Sequence, residues 1–423
     1  MNKHKDKTLS LLQHPTTSDS QAWKVYWKAY GQPWRTEPEI NAERQAYLAT
    51  CRAIEPNIEK SIYPFKDIKL NRADVEWLLA THENGQGPVD WGNWGLLERE
   101  GLDLRGADIQ GVNLRRLPLT AMIGGLDWDA WLSATVEQRE AATTNLQGAK
   151  LSFSHLERAI LRGTHLEKAS LYGTHLEGAY LYTAHLEGAI LKRAIFDSNT
   201  QLGKSILSNE EFGAAILDDV GWNAVNLTEV NWELVKALSQ QEPRKNRRDW
   251  TTSDTEGIFN EYHRAIRTDL QLAHVLQEQG LNEVSTYFAY RVKVLQRRLI
   301  WLHAFQQKLN LLQKTRNLIS FLFSLFLDIL AGYGYRPWRS FLWYLIIIFG
   351  FAMSYYTLGH LPLLPDAFVY SLTSFHGRGF FPGFTDKPSL HEPLVIFAGL
   401  EAMIGLFIEI SFIATFTQRY LGK

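Results

Sequence analysis

Cysteine is almost absent from this chain: Cys51 stands alone among 423 residues. A single thiol excludes an internal disulfide and suits a reducing compartment for any soluble part. A surplus of either charge is missing too. With 44 lysines and arginines against 45 aspartates and glutamates the net charge is −1, which gives no global pull toward nucleic acid. The opening residues, Met-Asn-Lys-His-Lys-Asp-Lys, lead into no sustained apolar core, so no cleavable signal peptide is expected. There is no phosphate loop, no Cys/His set at metal spacing and no nucleophile elbow. No enzyme reading competes, and no cofactor or bound metal is expected.

At 45% hydrophobic and 21% charged, the average resembles a soluble protein, but the average hides two strongly apolar stretches, Phe341–Gly359 and Leu394–Phe416. Each is long enough to cross a ~30 Å hydrocarbon core as a helix. Between them, Asp366-Ala-Phe-Val-Tyr-Ser-Leu-Thr-Ser-Phe-His-Gly-Arg-Gly-Phe380 is too short and polar for a third span. It reads as a half-helix followed by extended, glycine-containing backbone, which survives at membrane depth only where it lines a protein-walled, water-filled cavity. Span, pore helix, filter, span is the plan of an ion-conducting pore. A hairpin that merely tethers the soluble part is the alternative.

Basic residues set the expected orientation. Arg291, Lys293, Arg297, Arg298, Lys308, Lys314, Arg316, Arg336 and Arg339 precede the first span, and Arg419 and Lys423 follow the second; the intervening loop offers Arg378 and Lys387. The positive-inside rule puts both termini in the cytoplasm and loop 360–393 outside, in a multi-pass protein of the plasma (inner) membrane. The shorter apolar run Leu318–Leu330 carries Asp328. At ~20 Å it is too short to cross, so an interfacial helix along the cytoplasmic leaflet is expected, ending at Gly332-Tyr-Gly334.

Upstream the sequence repeats with a period of five. From Leu146 to Phe196 a large apolar residue falls on every fifth position, and a small one precedes each by two, from Thr144 to Ala194. Neither a helical nor a strand period generates this. It resembles the pentapeptide-repeat family, whose right-handed β-solenoid winds four pentapeptides per turn with the small and central residues inside. Earlier positions (Leu104, Ile109, Leu114, Leu119) and later ones (Leu217, Trp222, Leu227, Trp232) keep other registers. The interruptions 121–143 and 197–212 are expected to bulge as loops or short helices. His155, His165, His175 and His185, each followed by Leu-Glu, recur at half a turn. That places His155 above His175 and His165 above His185 on opposite faces. This reads as an outward position tolerant of any polar residue, with a metal or pH-sensing ladder as the alternative. Five acidic and six basic residues between 144 and 198 make no polyanion, so DNA mimicry is not expected.

The aromatic-rich residues 21–100 suit a cap for the open solenoid end. From Thr255 to Leu312 the helical period returns around a break at Gly280, a helix–turn–helix similar to one tetratricopeptide-like hairpin. Four segments result: an N-terminal polar tail and cap (1–100), a β-solenoid (101–235), an α-helical hairpin connector with the interfacial helix (255–335) and an all-α two-helix transmembrane pore domain with a re-entrant pore helix (336–423).

Residues 337–420 are similar to two-helix potassium-channel-like domains, and with the solenoid the chain looks like the bacterial pentapeptide-repeat ion-channel proteins. The resemblance implies a selectivity filter over Thr373, Ser374, Phe375, His376, Gly377, Arg378 and Gly379. It implies an inner helix carrying Glu401, Gly405 and Glu409. Gly377-Arg-Gly379 stands where the family has Gly-Tyr-Gly, and His376 looks like an insertion, so potassium selectivity is not inherited. Arg378 either points away from the axis toward Glu401 or forms a ring favouring anions. Glu401 reads as a brace behind the filter or Glu409 as a cation-attracting ring. Gly405 is a hinge or a packing glycine. The expected partners are further copies of the chain (four by resemblance, five left open by the insertion), permeant inorganic ions and the lipid bilayer. A membrane-anchored scaffold whose spans only oligomerise is the runner-up.

Overall fold

A five-residue repeat folds by turning once per repeat. The computed structural model describes residues 14–15, 19–90, 99–239, 255–304, 310–358, 363–377 and 393–417. They divide into two compact units, Met1–Thr255 with Leu270–Ser285 and Glu256–Asp269 with Thr286–Lys423.

In the first unit, parallel bridges join residues twenty apart: Asn145 to His165, Lys150 to Ser170, His155 to His175 and Ile160 to Tyr180. The central residues from Leu146 to Phe196, and Ala149, Ala159, Ala169, Ala179, Ala184, Ala189 and Ala194 between them, are buried. Each fully buried leucine contributes roughly 1.5–3 kcal/mol against the cost of ordering the coil. Every fifth residue, two after the central one, has positive φ: Phe153, Arg158, Gly163, Lys168, Gly173, Gly178, Thr183, Gly188 and Arg193. That backbone requirement explains why glycine recurs there. Adjacent coils are tied by amide–carbonyl bonds such as Leu151 N to Ser170 O and Leu156 N to His175 O, 2.8 and 2.9 Å.

The registers separate as their interruptions require. Asn113 pairs with Lys150 and Ile123 with Ile160, because the coil between them carries two short helices, α1 (Trp128–Ser133) and α2 (Val136–Ala142). The second interruption is smaller than expected. Tyr180 pairs with Gln201 and His185 with Ile206, and Leu202 and Leu207 are buried like other central residues. One residue has slipped in, and Asp197 holds the slip by accepting hydrogen bonds from Gly178 N (2.7 Å) and Thr200 Oγ1 (2.8 Å). Only the hairpin of β1 (Ser208–Asn209) and β2 (Gly213–Ala214) bulges.

The N-terminal residues cover one end of the coil. Lys69 bridges to Asp108, while buried Arg72 donates to Asn113 O (2.8 Å) and pairs with buried Glu76 (2.7 Å). At the other end Gln279 accepts from Leu227 N (2.8 Å) and donates to Val225 O (2.6 Å).

The second unit is helical. Helix α3 (Asn282–Ala304) runs antiparallel to α4 (Leu311–Ala331), as the ring contacts Trp301–Phe321 and Tyr290–Tyr333 require. Gly332, with φ +54, ends α4 as a left-handed cap, as the Gly332-Tyr-Gly334 break predicts. Then follow α5 (Pro337–Leu358), α6 (Leu364–Phe375) and α7 (Pro393–Phe416). Among the described residues, Leu311–Gly334, Pro337–Thr357 and Val395–Phe416 are long and apolar enough to cross a membrane. That is one more candidate than the apolar runs alone give, because α4 begins seven residues before Leu318 and length no longer excludes it.

Candidate functional site

The short helix α6 lies between α5 and α7. Tyr370 and Ala367 on α6 cluster with Tyr355 on α5 and Ala398 on α7. At its other end Phe375 packs with Ile348 on α5 and Ile408 on α7. At 1.5 Å per residue α6 is about 18 Å long, and it stops beside the middle of each longer helix. Its backbone dipole puts partial negative charge at that end.

Glu401 on α7 is completely buried. Its carboxylate accepts from Tyr355 Oη on α5 at 2.7 Å and from Ser371 Oγ on α6, while Ser371 also meets the Ile348 carbonyl at 2.9 Å. One acid thus ties three helices together. The partner considered from sequence, Arg378, lies outside the described residues. Ser371 and Tyr355 are ordinary hydroxyl residues in apolar runs, and helical spacing alone gives no signal that either reaches an acid on another helix.

Gly405 faces the end of α6. A Cβ there would stand 2.2 Å from the Phe375 carbonyl oxygen, so this glycine is what lets the two backbones meet. Four residues on, Glu409 contacts His376 Nδ1, and His376 Nε2 lies 3.4 Å from Tyr344 Oη on α5. His376 therefore connects the end of α6 to both longer helices.

Of the expected filter, Thr373, Ser374 and Phe375 form the last helical turn of α6, which ends at Phe375 as the pore-helix bounds Asp366–Phe375 read from sequence anticipate, with Ser374 and Phe375 buried. The helix continues through them because the packing of Phe375 against α5 and α7 holds that turn. The chain leaves helical geometry at His376, and Gly377 follows at φ +67. Arg378 and Gly379 lie outside the described residues.

Where α4 ends, half-buried polar groups converge on the buried Asp328. Asp328 accepts from Arg297 at 2.5 Å and Tyr290 at 2.8 Å on α3, and from Arg339 on α5 at 3.3 Å. Burial, followed by the bond to Asp328, raises the Tyr290 phenol above its ordinary value.

In the solenoid the histidines stack as the twenty-residue coil predicts. His155 lies over His175 (5.0 Å, 11°) and His165 over His185 (5.1 Å, 20°). Each meets the glutamate two residues on through Nδ1, from 2.7 Å for His155–Glu157 to 3.3 Å for His185–Glu187. These bonds raise the His155 and His185 imidazoles above their usual value. Burial opposes the charge of Glu167, yet the bonds from His165 and its own backbone hold its carboxyl below the usual range.

The pentapeptide repeats family model matches residues 144–181 and 159–197, in eight copies. Three solved structures are similar in part. A pentapeptide repeat protein from the Arabidopsis thaliana thylakoid lumen shares 26% identity over 32% of this chain and 75% of its own, with TM-score 0.22. One from the cyanobacterium Cyanothece shares 27% over 32% of this chain and 88% of its own, with TM-score 0.18. A pentapeptide repeat protein involved in heterocyst differentiation regulation, from the cyanobacterium Nostoc, shares 25% over 28% and 52%, with TM-score 0.11. No curated protein matches the chain by sequence. The chain thus joins a segment similar to pentapeptide-repeat proteins to helices apolar and long enough to cross a membrane.

Proposed function

We propose that the chain is one subunit of a closed cyclic membrane oligomer that conducts ions through a re-entrant pore loop, with the solenoid in the cytoplasm. The observation that carries this reading is α6, a twelve-residue helix seated between two span-length helices and ending midway along both. A simple tether has no use for a half-length helix braced by a buried acid. The end of α6 carries partial negative charge and has Glu409 beside it, an arrangement that favours cations. The residues from His376 to Gly379 differ from a potassium filter in length and in carrying a guanidinium. The pore is therefore cation-preferring without sharp discrimination between potassium and sodium.

The contacts of α4 favour its lying at the cytoplasmic interface. It runs along α3, which carries Arg291, Lys293, Arg297 and Arg298, while Ile319, Leu322, Phe323, Phe326 and Ile329 remain exposed on its other side. A charged helix cannot accompany a span into hydrocarbon at tolerable cost, whereas an amphipathic helix rests in the interface. With α5 and α7 as the two spans, both termini are cytoplasmic.

Purified protein in planar bilayers tests the reading through reversal potentials under bi-ionic potassium and sodium and under asymmetric chloride. Cation conductance with little potassium preference is the expected result. Oligomers that never conduct would leave a membrane-anchored scaffold, and strong potassium selectivity unchanged in Arg378→Ala would overturn the filter reading.

A further inference from the structure

The two histidine–glutamate ladders differ from each other in a way the repeat does not explain. On one face Glu167, His185 and Glu187 come from successive coils, and each offers a ligand atom within 4.8 Å of the others. Glu167 and Glu187 are 94% and 97% buried, yet the Oε2 atom of each has no hydrogen-bond partner. Their Oε1 atoms are engaged, Glu167 with His165 at 3.0 Å and Glu187 with His185 at 3.3 Å and Asn209 Nδ2 at 3.1 Å. Two buried carboxylates side by side, each with an unpaired oxygen, are costly unless a positive charge lies between them. Among the described residues, no lysine or arginine forms an ion pair with either; the nearby Lys168 ammonium sits over the Phe212 ring, 4.7 Å from its centre.

We propose that Glu167, His185 and Glu187 form a binding site for a divalent transition cation of the Zn2+ type. One imidazole nitrogen and two carboxylate oxygens are a donor set for Zn2+, Co2+ or Ni2+ rather than for Ca2+ or Mg2+, which take oxygen ligands. The backbones are held one coil apart by the ladder of His165 to His185, so the ligands are preorganised and small side-chain rotations bring them to ~2.0–2.2 Å from a metal. Three protein ligands leave a position for water. His165, stacked on His185 and bonded to Glu167, orients the carboxylate from outside the metal's own contacts.

The opposite face supplies the comparison. Glu157, His175 and Glu177 lie equally close together, and Glu177 Oε2 is also unpaired. But Glu157 Oε2 already accepts from Thr120 Oγ1 at 3.0 Å and Glu177 is only half-buried, so one unpaired oxygen stands there instead of two. That cluster is the weaker site.

The test is titration of the full-length protein in detergent with Zn2+ by calorimetry, alongside the visible absorption of added Co2+. One saturable site in the micromolar range is expected, undisturbed by excess Mg2+ or Ca2+. Glu187→Gln and His185→Asn should each weaken it about tenfold or more and remove the Co2+ band, whereas Glu157→Gln should leave both nearly unchanged. Glu167→Gln provides a further isosteric variant, and circular dichroism confirms that each remains folded. Absence of saturable Zn2+ binding by the wild type, binding undiminished in Glu187→Gln, His185→Asn or Glu167→Gln, or displacement by Mg2+ would each overturn the assignment.

Discussion

Glu401 shows how much rests on single side chains in an apolar environment. Its carboxylate satisfies Tyr355 and Ser371 inside a packed three-helix cluster. Glu401→Ala leaves both hydroxyls buried and facing a cavity, so a loss of about 2–4 kcal/mol is expected in detergent unfolding; Tyr355→Phe, which removes one bond, should cost about 1 kcal/mol. Gly405→Ala is a separate test of the close approach. Its Cβ has no room against the Phe375 carbonyl, so α6 must shift, lowering both the unfolding midpoint and any conductance. A wild-type midpoint in that variant would show that α6 does not lie where described. In the solenoid, burial opposes the charge of Asp197, but bonds from Gly178, Thr200 and Asn199 prevail and hold its carboxyl below the ordinary range. A folded value below the unfolded one means stability that is present above about pH 3.9 and lost as pH falls through the lower folded value. Asp197→Asn should therefore destabilise at neutral pH and remove this part of the acid sensitivity, as thermal melts at pH 7 and below pH 4 would read.

At the scale of elements, the coils and α4 behave differently. Each coil is a local consequence of its repeat, with one left-handed residue in five and an inward leucine two residues earlier. Single insertions are absorbed, as at Asp197, because the next repeat restores the same turn. Helix α4 depends on what it packs against. Asp328 gathers Arg297, Tyr290 and Arg339 at its C-terminal end, while its apolar side faces away from α3. Phe323→Trp tests its depth. Lipids brominated near the headgroup should quench this indole more strongly than lipids brominated at the chain ends; the reverse order would make α4 a third span.

For the whole molecule, α5, α6 and α7 of one chain do not enclose a channel, so a pore requires symmetry-related copies. Mass measurement in nanodiscs should give a closed oligomer, four copies being expected; a monomer or dimer would remove the pore reading. A reporter active only outside the cytoplasm should be active when fused after Lys387 and silent at either terminus. Activity at both the N-terminus and Lys387, with silence at the C-terminus, would mean that α4 crosses, since a third span reverses the N-terminal end.

Sequence alone determined the features that depend on short-range periodicity. The five-residue repeat specified which side chains face inward and which histidines stack, because the coil length is a fixed multiple of the repeat. The apolar runs identified α5 and α7 because crossing a bilayer is a matter of length and hydrophobicity. Sequence could not decide between a hinge and a packing role for Gly405, since helix packing sets how closely the Phe375 carbonyl approaches it. Nor could it choose the partners of Glu401, which lie 30 and 46 residues away on other helices. The unpaired oxygens of Glu167 and Glu187 were equally hidden, for every His-Leu-Glu repeat reads the same. Only stacking set Thr120 beside Glu157 and Asn209 beside Glu187. A period reports which way a side chain faces. What it meets there depends on the register between distant elements, and tertiary packing decides that.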